Sequence, residues 1–184
     1  NQSVYLVDTE SKSLSLVEDA VSDTIGSALA SGWDDTNNLI FFLDDRPGFS
    51  MFDPDQNILT DMSADLIGSV PDIEVYARRI YAVAPETEQI LRYNRVGYDF
   101  GSGTPWIESH STDLSDAISI TIDGDVYLLK SDGEFVKFTS GNETSWSVGA
   151  VDPALSGANA KIWSTDTSDF MYVLDPDQNR VLIL

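Results

Sequence analysis

Carboxylates are the most abundant chemically capable groups in this chain. Aspartate and glutamate number 31 against 10 lysines and arginines, for a formal net charge of −21. Two acids held at a fixed separation can cleave a glycosidic bond, one as proton donor and the other as nucleophile or base. Six acids fall in polar turns that follow short apolar runs: Glu10, Asp55, Glu86, Glu88, Asp132 and Asp177. Turn positions are solvated and lack the apolar enclosure that lifts a carboxyl pKa into the range of an acid catalyst. These acids therefore read as a hydrated rim. Two turns share one sequence, Asp53-Pro-Asp-Gln-Asn57 and Asp175-Pro-Asp-Gln-Asn179, and set oxygens at alternate positions as calcium loops do. A helix–loop–helix calcium site also needs Gly at the sixth position and Glu at the twelfth. The first copy has Ile58 and Ala64 there. A tight turn accounts for both segments, since proline presets φ and Asp and Asn side chains bond nearby backbone. No metal or cofactor is assigned.

Other reactive residues are sparse. His110 is the only histidine, too few for a zinc site, and no serine in a recognisable strained turn joins it in a triad. Gly97, Gly101 and Gly103 precede no helix, so they do not form a phosphate loop. Three basic residues stand out on the acidic background. Arg46, Arg78 and Arg79 are expected in turns after the innermost strands of adjacent repeats, sharing the face opposite the acidic rim. There they offer a site for an anionic ligand or partner, against the plainer role of balancing Asp44 and Asp45. Phe41, Tyr76 and Trp163 are expected to pack between repeats.

The elements that position these residues recur. Val4-Tyr-Leu-Val-Asp8, Phe49-Ser-Met-Phe-Asp53, Ile80-Tyr-Ala-Val-Ala84, Val126-Tyr-Leu-Leu-Lys130 and Met171-Tyr-Val-Leu-Asp175 are five short apolar runs, each leading into a polar turn and a second apolar run. Their ends lie 45, 31, 46 and 45 residues apart. Short strands repeating every ~40–50 residues are the signature of a β-propeller, one blade per repeat. The fourth copy is the template. Ala117–Ile122 alternates apolar and polar residues as a half-buried strand does. Asp123-Gly124 turns the chain, Val126–Lys130 is the second strand, Ser131-Asp-Gly133 the next turn and Phe135–Phe138 the third strand, with Ser145–Val148 as a weaker outer one. By the same template, Leu39–Leu43, Ile73–Ala77 and Lys161–Trp163 are innermost strands. Outer strands are expected at Ile25–Ala30, Trp106-Ile107 and, shrunken, at Asp65–Ser69.

The expected fold is thus all-β, a propeller of about five blades of four-stranded antiparallel repeats, in one domain over residues 1–184. Five hairpins but only four inner strands are present. Either a five-bladed ring closes imperfectly, or flanking sequence completes it. Single helical turns are conceivable at Ser63–Ile67 and Asp152–Leu155, both too short to be stable alone. A β-sandwich is the structural alternative, but it does not predict near-equal repeats.

Composition bounds the function. A hydrophobic fraction of 42% with 10% aromatics suits a folded domain with a real core. The negative charge repels phosphate backbones and anionic lipid, disfavouring nucleic acid and direct membrane contact. Cysteine is absent, which excludes disulfides and thiolate metal sites, and no apolar stretch reaches the ~20 residues of a membrane span. The chain starts at Asn1 and ends within a strand, as a piece of a longer polypeptide would.

Ile118-Ser-Ile-Thr-Ile-Asp-Gly-Asp-Val-Tyr-Leu-Leu129 and Met171-Tyr-Val-Leu-Asp-Pro-Asp-Gln-Asn-Arg-Val181 resemble blades of the NHL/YVTN-like β-propeller class, most nearly the propeller regions of membrane-anchored bacterial proteins. The likeness covers most of the chain through short, degenerate motifs. Ser50, where the other copies have tyrosine, and the short second step depart from it. The resemblance implies a non-catalytic recognition or sensor module for a protein or small ligand. It further implies a place outside the cytoplasm, tethered to a membrane by flanking sequence. The class has no shared catalytic motif, so no site residue carries over. The competing expectation is a carbohydrate-active enzyme with paired carboxylates near the propeller axis.

Overall fold

In a computed structural model, residues 5–8, 10–16, 29–97, 99–155, 157 and 159–184 are described. Nearly all regular structure among them is β. A hairpin of β1 (Tyr5–Asp8) and β2 (Ser13–Leu16) comes first. The first blade is β3 (Ala30–Asp34), β4 (Leu39–Leu43), β5 (Phe49–Asp53) and β6 (Ile58–Met62). A two-residue strand, β7 (Ala64–Asp65), pairs in parallel with β11 (Gly101–Ser102). The second blade is β8 (Ile73–Tyr76), β9 (Arg79–Ala84), β10 (Gln89–Asn94) and β12 (Thr104–Pro105). The third is β13 (Ala117–Ile122), β14 (Val126–Lys130), β15 (Phe135–Thr139) and β16 (Asn142–Thr144). The fourth has three strands, β17 (Lys161–Trp163), β18 (Tyr172–Asp175) and β19 (Arg180–Ile183).

The architecture is a propeller arrangement of four blades, not about five. Among the described residues, the first repeat contributes the two-stranded hairpin. Inner strands pack in the series β3, β8, β13, β17, which places them around the axis. Three apolar clusters lie between consecutive blades. The first joins Phe41, Phe49 and Met51 to Ile73, Ile80 and Ala82. The second joins Tyr81, Val83 and Ile90 to Ile120, Leu128 and Phe138. The third joins Tyr127 and Leu129 to Ile162 and Val173. Side chains alternate between the two faces of a strand, so Ala82 packs toward the first blade while Tyr81 and Val83 pack toward the third.

Several sequence expectations shift. Leu39–Leu43 is the second strand of its blade, and Ala30–Asp34 is the innermost. Phe49–Asp53 is consequently a third strand, whereas the runs ending at Ala84, Lys130 and Asp175 are second strands. The 31-residue step compared strands of different rank; second strands end at Leu43 and Ala84, 41 residues apart. Ala117–Ile122 is buried at all six positions, not half-buried. The outer strand of that blade is Asn142–Thr144 in place of Ser145–Val148, and the outer strand of the second blade is Thr104–Pro105 in place of Trp106-Ile107. Of the outer strand expected at Ile25–Ala30, residues 25–28 lie outside the described set, and Ala30 opens β3. The helical turns expected at Ser63 and Asp152 do not form. Single 3-10 turns occur instead at Pro85–Thr87 and Pro176–Gln178, each closed by a left-handed residue, Glu88 or Asn179.

Gly133, in the β14–β15 turn, has φ +90°, and a Cβ there would lie 2.3 Å from the Leu155 carbonyl oxygen. Gly133→Ala is expected to cost about 2 kcal/mol or more, combining a left-handed alanine with a backbone clash. Chemical denaturation of wild type and variant measures it.

Candidate functional site

The inner strands meet at a cavity of about 720 Å³. Its wall takes residues from all four blades: Trp33 and Asp35, Glu74 and Tyr76, Ile122, and Trp163 with Asp166. It opens at the end of the disc where first strands turn into second strands, since the β3–β4 turn and Ala77 of the β8–β9 turn line it. Trp33 and Trp163 are 57% and 52% exposed, unusual for side chains this large on inner strands. Trp163 thus does more than the packing expected of it, and its ring leans on Tyr172 at 5.7 Å between centroids. Phe41 is a core residue, and Tyr76 packs partly into the cluster between the second and third blades.

Glu74 is the distinctive polar group of this wall. It sits in Ile73-Glu-Val-Tyr76, where Ile73 and Val75 face the first blade and Glu74 projects from the opposite side of the strand. Burial pushes its carboxyl up to about 8, opposed by the hydrogen bond from the Val75 amide and reinforced by the charge of Asp72. Protonated Glu74 therefore favours the folded state. That contribution is complete below its ordinary value of 4.5 and is lost as pH rises through about 8. Glu74→Gln should remove this slope, so its stability relative to wild type rises from about pH 4.5 to about 8 and levels off above that. Melting temperature from pH 4 to 9 checks it, and parallel curves for the two proteins would refute it.

Beneath the cavity, side chains stitch the inner strands together. Ser119 Oγ donates to Asp72 Oδ2 at 2.5 Å and accepts from the Ile162 amide at 3.1 Å. Asp72 Oδ2 also accepts from the Ile120 amide at 3.2 Å, and Lys161 Nζ lies 3.3 Å from Oδ1. Lys161 Nζ donates to the carbonyls of Pro71 and Ile118 as well. One step along, Thr121 Oγ1 accepts from the Ser164 amide at 2.7 Å. Second, third and fourth blades are thereby joined by polar contacts within an apolar axis. Burial raises the Asp72 pKa, with Lys161, Ser119 and the Ile120 amide opposing.

The three arginines do not share one face. Successive turns of an antiparallel meander alternate between the two ends of a sheet. Arg46 lies between β4 and β5, second and third strands, whereas Arg78 and Arg79 lie at the β8–β9 turn between first and second strands. Arg46 is committed internally. It bonds both oxygens of Asp44, with Nη2 at 2.8 Å from Oδ2, and reaches Ser50 Oγ at 2.7 Å and Asp61. Ser50 lies on a third strand and so is not the counterpart of the tyrosines of the later blades, which lie on second strands; its hydroxyl accepts from Arg46. Arg78 and Arg79 are exposed beside Ala77 of the cavity wall, and Arg79 Nε donates to Asn94 Oδ1 at 3.0 Å.

Several rim acids have structural work. Glu86 accepts from the Ser69 amide and Glu88 from the Leu114 amide. Asp132 accepts from the Glu134 amide, and Asp55 lies in a third-to-fourth strand turn, at the other end from the rest, where it accepts from Asn38. The twin Asp-Pro-Asp-Gln-Asn turns differ. Asp53 Oδ1 accepts from the amides of Asp55 and Gln56, while Asp175 is fully buried and paired with Arg180 Nε at 2.8 Å. Among the described residues, no group of three or more acids and histidines is arranged to hold a metal ion. His110 is exposed in a loop, with Nδ1 2.9 Å from the Thr112 carbonyl oxygen. Neighbouring Ser111 and Thr112 are clamped by Glu143, whose carboxyl is held down at about 2, chiefly by the Ser111 amide.

No family model matches the sequence, and no curated protein matches it either. Solved structures do match. A structural-genomics protein of unknown function from Bacteroides thetaiotaomicron superposes with a TM-score of 0.73 at 16% identity, over 97% of this chain and 52% of that one. An auxiliary nutrient binding protein from the same organism gives 0.64 at 11% identity, over 96% and 51%. A chain from a nidogen/laminin complex gives 0.60 at 10% identity, over 98% and 84%. This chain spans about half the length of the first two. At these identities the likeness shows the propeller fold alone.

Proposed function

We propose that this domain is a non-catalytic recognition or sensor module of the NHL/YVTN-like kind, holding a protein segment or small ligand in the axial cavity. The observation that carries this is the cavity itself, open at one end of the disc and walled by two exposed tryptophans beside Glu74. Aromatic faces offer a broad apolar contact with little entropy to lose, and the carboxyl and nearby hydroxyls give direction. That structurally similar propellers include a nutrient binding protein and a chain of a nidogen/laminin complex supports a binding role. A site outside the cytoplasm, tethered through flanking sequence, is part of the same proposal.

The alternative is a carbohydrate-active enzyme, and one observation favours it: Glu74 is an acid kept protonated near neutral pH, with Asp72 two residues away on the same side of the strand. Asp72, however, is occupied by Lys161, Ser119 and the Ile120 amide and is not part of the cavity wall. Glycoside hydrolysis requires a second carboxylate, and in the cavity wall that part falls to Asp35 or Asp166. Calorimetry against a panel of neutral oligosaccharides, with assay of released reducing ends, separates the readings. Binding that is lost in Trp33→Ala, without product, is expected; product formation abolished by Glu74→Gln would establish the enzyme.

For an anionic partner, Arg78 and Arg79 are the proposed contacts, with Arg46 the internal counter-charge to Asp44. Against a polyglutamate peptide, Arg78→Ala/Arg79→Ala should weaken binding and flatten its salt dependence, while Arg46→Ala lowers stability. Affinity and salt dependence unchanged in the double variant would reject the assignment.

A further inference from the structure

The third blade has all four strands, and apolar clusters cover both its faces. Its outer strand is short. β16 pairs with Lys137, Phe138 and Thr139 only, so the start of β15, at Phe135, has no part of β16 beside it. Two cavities, of about 620 and 450 Å³, flank this step, and Glu134, Phe135 and Trp146 line both. The loop of residues 109–112 closes the far side of the larger one. That cavity shares no wall residue with the axial one. Its volume falls within the range of about 300–1,000 Å³ typical of small-ligand sites.

The charged groups of this wall are already paired. Glu134 lies 2.7 Å from Lys130 Nζ, and Lys137 Nζ lies 2.7 Å from Asp125. Glu143 accepts from the amides and hydroxyls of Ser111 and Thr112. A charged ligand would have to displace one of these partners, at the cost of the bonds it breaks. What the wall offers instead is an aromatic ring among neutral donors and acceptors. Trp146 is half-buried and held edge-on by Tyr127 and Phe135, at 5.0 and 5.9 Å between centroids. A ring pinned in this way has little freedom to lose when a ligand packs on it. His110 Nδ1 lies 2.9 Å from the Thr112 carbonyl oxygen and so donates to it, which leaves Nε2 of the neutral imidazole as an acceptor. Ser145, exposed in the same wall, adds a hydroxyl that both donates and accepts.

We propose that this outer cavity holds a single neutral pyranose unit, with its C–H face against Trp146 and its hydroxyls toward His110 and Ser145. A pyranose is divided in just that way, since its ring faces present C–H groups and its edge carries hydroxyls. The apolar face gains contact with the indole, and the hydroxyls exchange water for the polar groups around it. One aromatic platform fixes one sugar ring, so a dissociation constant of about millimolar order is expected. The inference stands independently of what the axial cavity binds.

Titration of the isotope-labelled protein with the methyl glycosides of glucose, galactose, mannose and N-acetylglucosamine is the test, read from the indole N–H resonances of its four tryptophans. At least one glycoside should shift the Trp146 resonance saturably, and equally so in Trp33→Ala, where the axial cavity has lost its own ring. Glucuronate, the same kind of ring bearing a charge, should bind more weakly than the glucoside. Trp146→Ala should weaken binding about tenfold or more, followed through the Ser145 amide, whereas Trp146→Phe keeps a platform and should retain most of it. If Trp146→Ala fails to fold, His110→Ala, at an exposed loop position, must raise the dissociation constant severalfold. The proposal is overturned if no glycoside shifts Trp146, if the shift disappears in Trp33→Ala, if glucuronate binds as well as the glucoside, or if the Trp146→Ala or His110→Ala protein binds as wild type does.

Discussion

Asp72→Ala should destabilise the domain by about 3 kcal/mol, near the top of what a single polar substitution does. Asp72 is 8% exposed and holds three groups from two neighbouring blades: the Ser119 hydroxyl and the Ile120 amide of the third and the Lys161 ammonium of the fourth. Alanine leaves the hydroxyl and the amide without their acceptor in an interior where water does not replace it. Lys161 is affected less, because it is part-exposed and keeps the Pro71 and Ile118 carbonyls. At about 2–4 °C per kcal/mol for a chain of this size, the loss corresponds to roughly 6–12 °C in melting temperature. Asp72→Asn retains an acceptor oxygen for Ser119 and should cost clearly less. Thermal unfolding of the two variants decides the matter. Equal losses would mean that charge pairing with Lys161, and not hydrogen-bond satisfaction, is what Asp72 supplies.

Phe138→Ala is expected to cost about 3–5 kcal/mol. The ring is fully buried in the cluster between the second and third blades and meets Trp106 edge-on at 6.4 Å between centroids. Removing it opens a void between two sheets whose backbones are held by their own ladders and cannot collapse inward. The loss therefore includes both transfer of the ring to water and the residual cavity. Phe138→Leu fills most of the space and should cost under half as much. Denaturant titration measures both; a loss below about 1 kcal/mol for the alanine variant would show that the blades slide to close the gap.

The propeller was legible because its signal is local and repeated: an apolar run, a turn with Asp, Gly or Pro, and a second run. Rank within a blade was not. A sheet strand carries the same alternation whether it is first, second or third from the axis, so Leu39–Leu43 passes for an inner strand until Ala30–Asp34 is seen beside β8. Ala30-Ser-Gly-Trp-Asp34 has no apolar run to announce it. Gly32 lies where a Cβ would come within 2.7 Å of Val75, so the absence of a side chain lets β3 approach the next blade. Arg46 changed ends of the disc for the same reason, because a one-strand error in rank exchanges the two faces.

Glu74 is marked in the sequence, since an acid inside Ile73-Glu-Val-Tyr76 departs from the solvated-turn pattern of the other carboxylates. What the sequence determined by itself was the repeat, the all-β character and the hydrogen-bonding habit of its aspartate turns, since each depends on residues within one strand and its adjacent turn. What only the tertiary structure decided was which residues converge. Trp33, Glu74 and Trp163 come from three blades and share one cavity because β3, β8 and β17 lie around a common axis. Asp72, Ser119 and Lys161 meet beneath it across more than 40 residues of chain at each step. Contacts between strands that are remote in sequence follow from blade order and the apolar faces that pack it, and neither is written in the spacing of any one repeat.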